Sequence, residues 1–249
     1  MAQPHWWARL LWSQKDPVST PSMGRAVGDN LVESQFEYIH FPLEDFNYDA
    51  QLAAIHGLLH RQERADQELA ERIKKADEVA RRTKGRANDD AVDVWVELAE
   101  MSCYQDAAHS MAAVGMIAPL LESAFRAAFR SIGNELPQGD LVKNIVQRVD
   151  EVGMKQHLPT DLEPTLSALF AYRNKMFHGG FEWPSEELKK FDRLLCEKRW
   201  PNDWFSRATT DDEPWIFYMT SSFIDHCLEM AKQVIRGIVQ FGLERHLDA

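Results

Sequence analysis

The chain has 249 residues, 45% of them hydrophobic, which suits one large domain or a domain with an extension. A net charge of -11, from 28 basic and 39 acidic residues, argues against a non-specific nucleic-acid coat, which needs a broadly basic surface; a local basic cleft remains open. Cys103, Cys196 and Cys227 have neither paired nor metal-type spacing, so no disulfide framework, zinc site or other cofactor is expected. The first residues lack a signal-peptide pattern, and no run approaches the roughly 20 apolar residues of a membrane span, so a cytoplasmic setting without membrane is expected.

Residues 1–48 read as an irregular arm. Trp6, Trp7, Leu10, Leu11 and Trp12 make an apolar patch, expected to pack on the chain's own domain. Residues 16–22 read as a loop, and 33–46, broken by Pro42, as a short extended segment. Residues 49–89 form a second unit, a charged helix from Tyr48 to about Thr83. Its sparse apolar positions, Leu69, Ile73 and Val79, suit a surface helix with one narrow seam, or a dimer arm. His56 and His60 have the spacing of two helical metal ligands but no acidic residue between them in a metalloprotease arrangement; a solvated pair is expected.

Residues 90–249 read as the main helical domain. A helical run covers Ala91 to Ile132, with a kink or break expected at Pro119. Glu122, one turn before Arg126, has two readings: it turns inward to orient Arg173, or it pairs with Arg126 on the surface, which is the commoner arrangement. A medium helix is predicted over Asp140–Val152 and another over Asp161–His178, started by Thr160 or Asp161 and stopped by Gly179-Gly180. A short helix follows over Glu186–Cys196. Lys198, Arg199, Trp200, Trp204 and Arg207 then mix basic and aromatic residues. They fit either a platform for unpaired bases or a loop folded onto the core by its rings. Asp212-Glu213-Pro214 reads as the start of a last helix running to about Leu243, so the chain is predicted to be all-α.

The informative stretch is Tyr172 to Gly180. Arg173 falls inside the apolar stripe of its helix, between Leu169 and Phe170 on one side and Met176 and Phe177 on the other. A charge there is costly unless an anion meets it. Asn174 and His178 share the neighbouring face, and Gly179-Gly180 lets another chain approach. No Ser or Cys nucleophile and no carboxylate cluster adjoins them in sequence. A permanently charged fork, an amide and a group that titrates near neutral pH suit a phosphodiester: Arg173 holds the phosphate and His178 moves a proton. With no metal, the substrate's own 2′-hydroxyl is the easiest nucleophile, which points to RNA. One Arg and one His supply half an acid–base pair, so a two-fold homodimer is expected to complete the site.

Arg173-Asn174, three residues, then His178 resembles the signature of the HEPN superfamily: Arg, four to six residues, then His, with a polar residue following the Arg. The resemblance implies a HEPN-like helical bundle, a metal-independent endoribonuclease with a composite site across a dimer, and a cyclic-phosphate product. It also implies a toxin or phage-defence effector, with an antitoxin or regulatory protein as a further partner. The tyrosine that follows the His in one toxin branch is absent, since Gly179, Gly180 and Phe181 stand there. Two other readings stay open. One is a catalytically silent HEPN-like dimerisation or binding module. The other is a metal-dependent nuclease built on Glu187 and Lys189, which is disfavoured because these residues fall on a predicted helix.

Overall fold

A computed structural model describes residues 47–210 and 213–247; the expectations for the apolar patch and arm over 1–46, and for Asp212, lie outside the described residues. Helix α1 (Tyr48–Arg82) starts where Asn47 accepts a hydrogen bond from the Ala50 N–H at 3.0 Å. It turns at Gly85, whose φ of +62° favours glycine, into α2 (Arg86–Ser131). There follow α3 (Leu141–Val152), a 3-10 turn (Met154–His157), α4 (Leu162–Gly179), α5 (Ser185–Lys198), strands β1 (Phe205–Thr210) and β2 (Glu213–Met219), and α6 (Ser221–Leu247).

α2 is the spine. α1 lies along one side of it, while α4, β2 and α6 pack against its second half. The expected break at Pro119 does not occur: α2 runs through it as one helix. Losing one backbone bond costs about 3 kcal/mol. The fully buried neighbours Val114, Ile117, Ala118 and Leu121 offset that cost by packing on both sides of the proline. The run is also more apolar than the sequence reading allowed. α2 is long and apolar enough to cross a membrane, with a mean hydropathy of 1.3 over its best window. Just over half of that window (56%) is instead buried inside the protein, as a central helix requires.

The charged helix is joined to this body rather than set apart from it. Leu52, Ile55 and Leu59 of α1 belong to the main core, and the boundary expected at 89/90 falls inside the first turns of α2. Further along α1, Leu69 is buried in a narrow seam, as expected. His56 and His60 are exposed, with ring centroids 6.4 Å apart.

The structure is mainly helical, consistent with the all-α expectation, and adds one small two-stranded ribbon. Residues expected to begin the last helix form β2, which pairs antiparallel with β1: Phe205 faces Met219 and Arg207 faces Phe217. Ala208 pairs with Ile216 but Thr209 with Pro214, so Trp215 is the extra residue of a bulge. Pro214 thus sits in a two-stranded ribbon, where its missing N–H is tolerated. Glu213-Pro214 carries the same residues as a helix first turn, which is why the sequence signal misled. The helix start belongs to Thr220, whose hydroxyl accepts from the Phe223 N–H at 3.2 Å. Ser110 of α2 ties the ribbon to the spine: its hydroxyl accepts from the Met219 N–H at 2.8 Å and donates to the Asp106 carbonyl at 2.8 Å.

Two predictions follow from this packing. A methyl group on Gly237 of α6 would stand 2.1 Å from the His157 carbonyl oxygen, a backbone atom that cannot swing away. Gly237→Ala should therefore destabilise the protein by about 2 kcal/mol or more, measured by urea unfolding. Asp106 lies between α1 and α2; burial first, then the Asp66 carboxylate, push its carboxyl up to about 6, against the opposing pull of His109. A carboxyl raised in the folded state favours folding while protonated and loses that advantage as pH rises from 3.8 through about 6. Asp106→Asn should be more stable than wild type at pH 7.5, by on the order of 1 kcal/mol after discounting for partial exposure. The difference should vanish near pH 4. An equal difference at both pH values would contradict the assignment.

Candidate functional site

α4 is held in rotation by Tyr172. Its hydroxyl donates to the Phe217 carbonyl at 3.0 Å, in a fully buried position. Its ring centroid lies 5.4 Å from Phe205, 5.9 Å from Trp183 and 6.1 Å from Phe191. Burial pushes the phenol well above its usual pKa, so it acts as a neutral donor. Successive residues of a helix are rotated by about 100°, so fixing Tyr172 inward turns Arg173 to the edge of the core. Arg173 is half-buried, with its guanidinium carbon 5.7 Å from the centre of the Phe170 ring. Among the described residues it meets no carboxylate, while its neighbours do: Lys175 pairs with Glu187 of α5, which also binds Lys190 at 2.7 Å. The hydrogen bond from Lys175, then that from Lys190, lower the Glu187 carboxyl to about 2. Glu187 is therefore engaged on a helix and does not form a carboxylate–lysine nuclease motif with Lys189.

Arg173 and Asn174 line a cleft of about 1040 Å³ between α2, the 137–140 loop, α3 and α4. Nine charged residues line it: Glu122, Arg126, Asp140, Lys143, Asp150, Glu151, Glu163, Arg173 and Lys198. Four of the nine are in ion pairs. Arg126 holds Glu122 at 2.9 Å, Lys155 holds Asp150 at 3.0 Å, and Arg148 holds Glu151 at 2.8 Å. The Asp140 carboxylate accepts from the Lys143 backbone N–H at 3.1 Å, at the positive end of α3. Among the described residues, Lys143, Arg173 and Lys198 have no ion pair, and neither do two carboxylates, Asp140 and Glu163. The lining as a whole holds four cations and five carboxylates, and the three cations without an ion pair include Arg173.

The structure brings together Arg173, Asn174, Glu122 and Lys198 of the residues singled out in the sequence. Glu122 shares the cleft but is bound by Arg126, not by Arg173. His178 is exposed one turn beyond Asn174 and is not part of the cleft lining. The aromatics of the 198–207 stretch are no base-stacking platform. Trp200 and Trp204 are buried, 5% and 8% exposed, with Trp204 stacked 4.3 Å from Phe223. Arg207 pairs with Asp192, and Arg199 closes α5 as an exposed residue with φ +53°. The close approach expected at Gly179 is made by the chain itself. A Cβ there would sit 3.0 Å from the Trp183 ring, whose N–H donates to the Gly180 carbonyl at 3.0 Å. Asp161 precedes α4 but does not cap it; its carboxylate meets His226 of α6 at 2.9 Å.

Lys143 is the residue that sequence reasoning missed. It comes from another helix, and no local pattern marks it. Among the described residues no group of three His, Cys, Asp or Glu side chains is placed to hold a metal. No protein-family model, curated protein or solved structure was found to match this chain.

Proposed function

We propose that the protein is a metal-independent endoribonuclease of HEPN type, acting as a homodimer whose two Arg173–His178 helix ends face each other. One observation carries the reading: Arg173 is half-buried, has no acidic partner among the described residues, and opens with Asn174 onto a cleft whose other unpaired cations are Lys143 and Lys198. Such a group is held ready for an anion, and the phosphodiester of RNA fits its fork.

In the step this chemistry supports, the substrate's 2′-hydroxyl oxygen bonds to phosphorus while the bond from phosphorus to the 5′-oxygen breaks. One His178 takes the 2′-hydroxyl proton, and the partner's His178 gives a proton to the departing 5′-oxygen. The products are a 2′,3′-cyclic phosphate and a 5′-hydroxyl end. Arg173 neutralises the extra charge on the phosphoryl oxygens, Asn174 orients the phosphate, and Lys143 and Lys198 carry the flanking backbone. A cytoplasmic toxin or defence effector, restrained by an antitoxin or regulatory protein, is the physiological role that goes with this activity.

The position of His178 outside the cleft lining favours one alternative, a silent dimerisation module that keeps the bundle and has lost the chemistry. The test is cleavage of single-stranded RNA by purified protein with a chelator present and a 2′-deoxy substrate beside it. Wild type should cut only the ribose form. Arg173→Ala and His178→Ala should each lower the rate by about 100-fold or more, and Asn174→Ala by about 10-fold. Arg173→Ala should change stability by less than about 1 kcal/mol, since it removes one ring contact and no ion pair. Lys143→Ala and Lys198→Ala should raise KM and leave kcat nearly unchanged. Absence of cleavage, or undiminished cleavage by His178→Ala, would favour the silent module.

A further inference from the structure

Among the described residues, the α1–α2 hairpin carries a surface far from the cleft that no other element covers. Ala107, Ser110, Val114, Ile117 and Leu121 form one stripe of α2 and are fully buried in the body. At the same helical spacing the stripe continues toward the hairpin tip as Cys103, Ala99, Val96 and Val92, where cover is lost. Val92 is 38% exposed, Val96 41%, and the adjoining Trp95 38%. A stripe that begins as core and ends in solvent is one half of an interface. Val96 is about 28 Å along the helix from Gly115, against which Phe177 of the Arg173–His178 end rests, so this is a second surface.

The charges beside it name the occupant. Residues 89–100 hold five acidic residues and no basic one, while 72–86 hold seven basic and two acidic. The two acids are bound within α1, Asp77 by Arg81 and Glu78 by Arg82. That leaves five cations and five carboxylates with no ion pair among the described residues. Helix-end electrostatics explains Asp89 and Asp90, but that effect fades within one turn. It does not reach Asp93, Glu97 and Glu100, or Arg72, Lys74 and Lys75 on the facing helix. A two-fold interface is isologous, so a basic stretch and an acidic stretch on one surface satisfy each other twice.

We propose that the hairpin docks on the hairpin of a second copy, with α1 of each chain lying over the Val92–Val96 face of α2 in the other, in a four-helix arrangement. Five carboxylates beside this face oppose an anionic lipid surface. The proposal does not rest on the nuclease reading.

Light scattering on the full chain, over a range of concentrations and salt, tests it. Wild type should have at least twice the 28.7 kDa of one chain and dissociate more readily as salt rises. Val92→Glu with Val96→Glu should halve the mass of the assembly while the circular dichroism spectrum stays that of wild type. Should that variant fail to fold, two exposed charge reversals decide alone: Lys74→Glu with Lys75→Glu, and Asp93→Lys with Glu97→Lys. Each should weaken self-association by about 10-fold or more, and an equimolar mixture should recover a heterodimer. Wild type that stays monomeric at every concentration overturns the proposal. So does a dimer that none of these substitutions weakens; in that case the Arg173–His178 face remains the interface. Arg173→Ala should leave the mass unchanged, which separates this test from the nuclease assay.

Discussion

The hydrogen bond from Tyr172 to the Phe217 carbonyl sets the rotation of α4, and the candidate site is a consequence of it. A fully buried phenol needs an acceptor, and the ribbon strand β2 supplies one. β2 is in turn held to α2 through Ser110 and Met219. The chain of constraints therefore runs from the spine helix to the ribbon to one residue of α4. With Tyr172 turned inward, Arg173 cannot be core, and Asn174 one step further on is exposed. Two strands of six and seven residues thus do more for the site than their size suggests.

Much of the helical order was legible in the sequence because each helix carries its own signal. The helix expected over Asp140–Val152 has the ends the structure shows: Asp140 caps α3, and Gly153 closes it with φ +76°. The errors arose where one local pattern serves two structures. Glu213-Pro214 opens a helix or an edge strand equally well, and pairing with β1 decides between them. Pro119 breaks an isolated helix but not one gripped along its length. At Gly179 the structure shows Trp183 of the same chain close by, 3.0 Å from where a Cβ would stand.

The site divides in the same way. Arg173 and Asn174 were legible because they break the apolar pattern of their own helix. The mixed 198–207 stretch was ambiguous because buried aromatics and stacking aromatics have the same composition. Folding assigns Trp200 and Trp204 to the core and leaves Lys198 on the cleft. Lys143 had no sequence signal at all, since its relation to Arg173 exists only when α3 lies against α4. Net charge was equally blind: it sums ion pairs that cancel locally, and what a ligand meets is the remainder.

That remainder carries the argument about Arg173. Pairing is the rule around it, with Lys175 bound to Glu187, Arg126 to Glu122, and Arg207 to Asp192. Each of these pairs is local or spans adjacent elements, and none needs a ligand. Glu122 lines the same cleft as Arg173, and its carboxylate is held by Arg126 one helical turn away. If Arg173 served only the bundle, an ion pair with Glu122 would have lowered the cost of placing its charge at the core edge. The arrangement instead spends the acid elsewhere and leaves the guanidinium resting on Phe170, directed by packing and open to an anion. Among the described residues Arg173 has no carboxylate partner, and the proposed anion-holding role rests on that.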